Sequence, residues 1–155
     1  GQAEGSFETS EIPFEIGRTC LVYGNTLTGT RKNIVTWVKE SISAGKRINV
    51  VHEQWRTPTY AEDLAIGILL IIEKDATGVF HISGKDKLTP YDIAMQTAAI
   101  CKLDNSLIEK VDAASFSQPA RRPPKTGFNI SKARKELGFE PVRFEEGMKK
   151  TICGF

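Results

Sequence analysis

The sequence predicts an α/β fold, and three observations carry that expectation. Short apolar runs of strand character alternate with longer segments whose apolar residues recur every three or four positions. Helix-starting and helix-stopping residues stand at the boundaries of those segments, among them Thr89-Pro90-Tyr91-Asp92 and Gly138. The chain has no internal repeat, and at 155 residues, 40% hydrophobic and 26% charged, it can close one ordinary core but not two.

In chain order, Gly1-Gln2-Ala3-Glu4-Gly5-Ser6 reads as an expression remnant, so residues 1–12 are expected to be a remnant or a frayed segment and residues 13–155 a single domain. Residues 13–23 read as a buried strand, since Cys20, Leu21, Val22 and Tyr23 are continuously apolar and Gly24-Asn25 breaks the run. Ile34, Val35, Val38 and Ile42 recur at helical spacing, with Gly45 as the stop. Residues 47–51 form a short strand. Thr59 is expected to cap the next helix, with Glu62 reaching back to complete a capping box and Leu64, Ala65, Ile68, Leu69 and Ile72 on its buried face. Residues 78–82 form another strand. Thr89 and Pro90 then start a helix that buries Ile93, Ala94, Thr97, Ala98 and Cys101. Ser131 opens a helix that Gly138 closes, and Phe144, Met148 and Ile152 space out the last one. Residues 119–124, rich in proline, are expected to form an ordered loop that holds arginines in place.

A net charge of +2 gives no warrant for a nucleic-acid or membrane partner, and no apolar run approaches the roughly 20 residues of a membrane span. Cys20, Cys101 and Cys153 have neither metal-ligand nor CxxC spacing, which suits reduced thiols and a cytoplasmic location. With two histidines, a metal site or a Ser-His dyad has little material: His81 reads as a structural residue in a strand and His52 as a solvated loop residue. Glycine-rich dinucleotide, Walker, HExxH and GxSxG patterns are all missing. A tyrosine-lysine acid/base pair fails a direct test, because the residues four beyond Tyr23, Tyr60 and Tyr91 are Leu27, Leu64 and Met95.

Anion recognition remains. Pro123 stiffens the backbone after Arg121 and Arg122, and forked guanidinium groups on a stiff loop match the oxygens of a diphosphate. Arg56, close to a helix start, is a third candidate. On these residues alone, a solvated arginine pair is the alternative.

Arg18-Thr19-Cys20-Leu21-Val22-Tyr23-Gly24, Asn33-Ile34-Val35, Glu53-Gln54, Pro58-Thr59 through Asp63-Leu64-Ala65, Gly78-Val79-Phe80-His81, Arg122-Pro123 and Ser131-Lys132 follow one another in an order that resembles the C-terminal part of extended short-chain dehydrogenases, most of all the dTDP-4-dehydrorhamnose reductase family. The resemblance covers the chain from about Ile12 onward. It implies the last strands of a parallel Rossmann-type sheet plus a small α/β substrate-binding lobe, with the dinucleotide-binding domain and its Tyr-x-x-x-Lys pair elsewhere. It also implies an oxidoreductase that uses NADP or NAD to reduce a nucleoside-diphosphate 4-keto sugar, with no cofactor expected on this chain alone. Carried over by motif, Tyr23 ends the strand that faces the sugar, Asn33 starts a helix near the nucleotide, Gln54 and Arg56 line the nucleotide pocket, and Arg122 grips phosphate, with Arg121 beside it from the reading of the arginine pair; no catalytic residue is expected here. Leu21 departs from the tryptophan usual at that position, and Asn129 from an aspartate. Residues 18–24 and 78–81 also resemble the regulatory β subunit of methionine adenosyltransferase, which implies a non-catalytic alternative. A sheet cut beside its neighbour would leave an edge able to pair with another copy.

Overall fold

Among the described residues of the computed structural model, which are 14–25, 32–115 and 123–153, every paired strand runs parallel to its partner. β1 (Glu15–Arg18) pairs with β5 (Gly78–His81), β2 (Val22–Tyr23) with β4 (Thr59–Tyr60), and β3 (Ile48–Val51) with β6 (Ile108–Val111). Parallel partners cannot be joined by a tight turn, so helices occupy the crossovers. α1 (Ile34–Ser43) lies between β2 and β4, while α2 (Ala61–Glu73) and α3 (Pro90–Cys101) lie between β3 and β6. α4 (Ser131–Leu137) and α5 (Phe144–Cys153) complete the fold. The expected remnant at residues 1–12, Arg121 and Arg122, and the side chain of Cys153 lie outside the described residues.

The strand expected over residues 13–23 is broken in two. Leu21 takes a left-handed backbone with φ of 45°, unusual for a residue with a side chain, and its carbonyl accepts from Thr59 N–H at 3.1 Å. The kink hands the chain from β5 to β4. It also turns Val22 outward, to 42% exposure, where an unbroken apolar run predicts burial.

Two helices start as expected. At α3, Thr89 Oγ1 accepts from Asp92 N–H at 3.1 Å and the Asp92 carboxylate accepts from Thr89 N–H at 2.9 Å, with Pro90 at the first helical position. At α1, Asn33 Oδ1 accepts from Thr36 N–H at 3.0 Å while its amide donates to the Gly24 carbonyl at 2.8 Å.

α2 departs from expectation in both its cap and its buried face. Tyr60 is the cap residue and makes no side-chain cap bond; Thr59 lies in β4, fully buried, with its hydroxyl donating to the Cys20 carbonyl at 2.8 Å and accepting from Gly84 N–H at 3.3 Å. A hydroxyl committed to two other segments is not available to a helix end. The buried face carries Asp63, Gly67 and Ile71, whereas Ile68, Leu69 and Ile72 are 44%, 56% and 68% exposed and Ala65 is exposed with them. α2 is apolar on both sides, so periodicity cannot choose between them; Gly67 does. A Cβ there would sit 2.3 Å from Ile82 Cγ2, so helix and strand meet only on the face that lacks a side chain.

Three apolar clusters hold the elements together. Val38, Ile42, Ile48, Val50, Ala94, Ala98 and Ile108 join α1 and α3 to the β3–β6 pair. Ile71, Phe80, Ile82, Ala133, Leu137 and Phe139 fix α2 and α4 against β5, and Tyr23, Val35, Tyr60, Ile93, Phe144 and Met148 gather α5 onto β2 and β4. Burial of this many Ile, Val, Leu and Phe side chains, at roughly 1.5–3 kcal/mol each, is the main favourable contribution to folding.

Candidate functional site

Beyond β3, residues Gln54, Trp55 and Arg56 are stitched on two sides. Trp55 N–H donates to the Pro124 carbonyl at 2.7 Å and Thr126 N–H to the Trp55 carbonyl at 3.1 Å, while Arg56 and Leu88 exchange backbone bonds at 2.8 and 2.9 Å. The segment that begins at Pro123 therefore runs along one edge of residues 54–56. That backbone pairing decides where Arg56 can reach. Its Nη1 donates to the Trp55 carbonyl at 2.8 Å and to the Pro123 carbonyl at 3.3 Å, and its Nη2 donates to Gln54 Oε1 at 2.9 Å.

Of the residues expected to recognise a ligand, the fold brings together Gln54 and Arg56, and joins them to Pro123, the residue immediately after Arg122. The three acceptors named for Arg56 are uncharged oxygens, and these bonds fix the orientation of its guanidinium. Arg121 and Arg122 lie outside the described residues, but the chain leaving them is anchored to Arg56. Trp55, 38% exposed and between Gln54 and Arg56, belongs to the same surface. An indole flanked by a carboxamide and a guanidinium was the sequence signal for it, and motif comparison passed over it.

Asn33 starts α1, as expected. Both ends of its carboxamide are engaged at the start of α1, where they tie that helix to Gly24. Tyr23 corrects the expectation that it faces a sugar. It is 2% exposed, its ring packs on Tyr60 and Phe144 with centroids at 5.8 and 5.1 Å, and its hydroxyl points to the Phe144 carbonyl at 3.4 Å. The end of an apolar run is as compatible with core as with a pocket wall, and here core prevails.

Burial, reinforced by Asp63, raises the Tyr23 phenol above its ordinary range; burial and the neighbouring Glu62 push Tyr60 up to about 12. Both phenols are therefore neutral packing groups near neutral pH. Asp63 is buried too, and its carboxylate accepts from Val142 N–H at 3.0 Å. Desolvation raises its pKa, and the Val142 bond and Lys150 partly offset that. His81 stacks on Phe128 at 4.5 Å with Nδ1 3.2 Å from the Asn129 carbonyl, a packing arrangement.

A cleft of about 540 Å³ adjoins this surface through Leu88, lined by Asp86, Lys87, Gln96, Arg143 and Glu145 among others. Two of its carboxylates are in use: Asp86 accepts from Phe144 N–H at 2.7 Å at the start of α5, and Glu145 pairs with Lys149 at 2.7 Å. No described strand ends in a glycine-rich turn opening onto a helix, the arrangement a dinucleotide pyrophosphate requires. What the described residues offer is a guanidinium held in a fixed orientation beside a carboxamide and an indole, a donor set suited to an anion.

A family model described as the RmlD substrate binding domain matches residues 3–155. The chain belongs to this family. Among curated relatives, a probable low-salt glycan biosynthesis reductase of Haloferax volcanii is 27% identical over 141 residues, covering 89% of this chain and 46% of the relative. A dTDP-4-keto-6-deoxy-D-glucose reductase of Streptomyces niveus is 31% identical over 96 residues, covering 62% of this chain and 33% of that protein. In structure, a dTDP-4-dehydrorhamnose reductase ortholog of Clostridium acetobutylicum superposes with a TM-score of 0.80 at 26% identity, covering 90% of this chain and 48% of its own. The Bacillus anthracis dTDP-4-dehydrorhamnose reductase, solved in complex with NADP, has a TM-score of 0.77 at 24% identity, with coverage of 91% and 48%. This member of the RmlD family thus spans about half the length, or less, of the relatives it matches, with the Rossmann-type α/β character of their fold.

Proposed function

We propose that this domain holds a nucleoside diphosphate carrying a 4-keto sugar for reduction at the expense of NADP or NAD in its reduced form, within a longer sugar-nucleotide oxidoreductase. Arg121 and Arg122 grip the two phosphates, Arg56 adds positive potential beside them, and Gln54 with Trp55 meets the nucleoside. The observation that carries this reading is the bond from Arg56 Nη1 to the Pro123 carbonyl, which ties the residue that follows Arg122 to the Gln54–Arg56 strip. Forked donors held by backbone lose little freedom on meeting phosphate, which is why a stitched strip suits a diphosphate better than mobile lysines do.

Reduction itself needs a nicotinamide and a proton donor placed at the keto carbon, and these residues offer neither. Among the described residues no glycine-rich strand-to-helix turn offers a dinucleotide a seat, and by itself the chain is expected to act on the substrate side and to show no NADPH oxidation. Ile68, Leu69 and Ile72 on the exposed side of α2 form an apolar face suited to packing against the rest of such a longer protein.

Calorimetric titration with dTDP tests the reading. The wild-type chain is expected to bind one equivalent, more weakly as salt rises, and Arg122→Ala to weaken binding by at least about tenfold, since a charge-assisted phosphate bond contributes about 1.5–3 kcal/mol. Equal affinity in the variant, or no binding of any nucleoside diphosphate by the wild type, contradicts it.

A further inference from the structure

β3 and β6 end level with each other, because Val51 and Val111 are Cα partners in the last rung of their ladder. The next residues, His52 and Asp112, therefore emerge side by side at the carboxyl ends of two parallel strands, with Glu53 following. His52 Nδ1 lies 3.4 Å from Asp112 Oδ1 and 3.1 Å from the Val111 carbonyl. Ligand atoms of His52, Glu53 and Asp112, one from each, all lie within 4.8 Å of one another.

We propose that this cluster is a site for a divalent transition cation of the zinc or manganese type, independent of the nucleotide site. Charge is the first argument. As a ligand the His52 imidazole is neutral, so the cluster holds two carboxylates, those of Glu53 and Asp112, whose negative charge a dication would neutralise. Donor chemistry is the second: an imidazole nitrogen with two carboxylates and a nearby carbonyl oxygen suits borderline zinc, cobalt or manganese, whereas magnesium and calcium favour all-oxygen shells.

Rigidity is the third argument. Ile48, Val50 and Ile108 are buried and fix the strands beneath the cluster, while Glu53 Oε2 accepts from Ala113 N–H at 3.3 Å and clips one loop to the other. A site on two core strands is largely preformed, so little ordering opposes the ion. A bound cation would clamp the ends of β3 and β6 just before the Gln54–Arg56 strip. Sequence spacing could not show this, since His52 and Asp112 are 60 positions apart and meet only through the register of the strands.

The test is titration of the metal-free chain with Zn²⁺, and with Co²⁺ as the spectroscopic probe. Expected are one equivalent bound, visible Co²⁺ ligand-field bands without a thiolate charge-transfer band, and affinity lower by about tenfold or more in His52→Ala and in Asp112→Asn. Both side chains are partly or largely solvent-exposed, so the variants should keep the fold, and unchanged far-ultraviolet circular dichroism verifies it. A thiolate band, which would put the ion on one of the three cysteines, overturns the proposal. So does the absence of saturable binding, or an affinity that neither variant changes.

Discussion

Removing one hydroxyl, that of Thr59, should cost this fold more than most core methyl groups would. Thr59 is fully buried and its Oγ1 links three segments: it donates to Cys20 after β1, accepts from Gly84 N–H beyond β5, and accepts from the Thr19 hydroxyl at 3.2 Å. Thr59→Val keeps the shape and deletes the link. The Cys20 carbonyl and Gly84 N–H are then left without this partner in a buried place, and each such group costs about 1–3 kcal/mol. Gly84 cannot withdraw to admit water easily, because its backbone already lies so close to Pro58 that a Cβ at 84 would be 1.9 Å from the Pro58 carbonyl oxygen. A loss of about 2–4 kcal/mol follows. With a urea dependence of about 2 kcal/mol per molar, the midpoint should fall by about 1–2 M at unchanged slope. Thr59→Ser keeps the hydroxyl and should lose only about 1 kcal/mol, for the missing methyl. The reasoning is refuted if Thr59→Val unfolds within about 0.5 kcal/mol of the wild type, or if serine is as damaging as valine.

Two further outcomes are expected. Burial raises the Asp63 pKa, so its contribution to stability is full below the unfolded-state pKa and declines as pH rises through the folded value. Asp63→Asn removes that titration, and its stability relative to wild type should rise between about pH 4 and pH 7 by urea midpoints; a constant or falling difference would contradict the cause assigned. Among the described residues β1 pairs only with β5, and with the outward side of α2 this should make the wild-type chain self-associate at high concentration, while Leu69→Glu with Ile72→Lys should make it more nearly monomeric. Sedimentation of the wild type as a clean monomer throughout would count against it.

Where local chemistry had one solution, the sequence was legible. Thr89-Pro90-Tyr91-Asp92 can hardly do anything except start a helix, and α3 starts there with the bonds that pattern implies. Gly138, at φ of 69°, ends α4 as its position suggests. Thr59 shows the converse: threonine followed three residues on by glutamate fits a capping box, yet a tertiary demand for the same hydroxyl took precedence. α2 misled because its buried and exposed faces are both apolar, and only the close approach of Gly67 to Ile82 decides between them. β6 escaped notice because Ile108-Glu109-Lys110-Val111 carries two charged residues and is a strand only by virtue of pairing with β3. Of the candidate site, the nearness of Gln54 to Arg56 was readable from order alone; their union with Pro123 was not, since it depends on the pairing of Trp55 with Lys125.

Amide chemical-shift mapping during a dTDP titration probes the nucleotide surface most directly. Perturbations should concentrate at Gln54, Trp55 and Arg56 and at the amides of Arg121, Arg122, Lys125 and Thr126. A response centred on Lys87, Gln96 and Arg143 in the neighbouring cleft would instead place the nucleotide there and contradict the assignment.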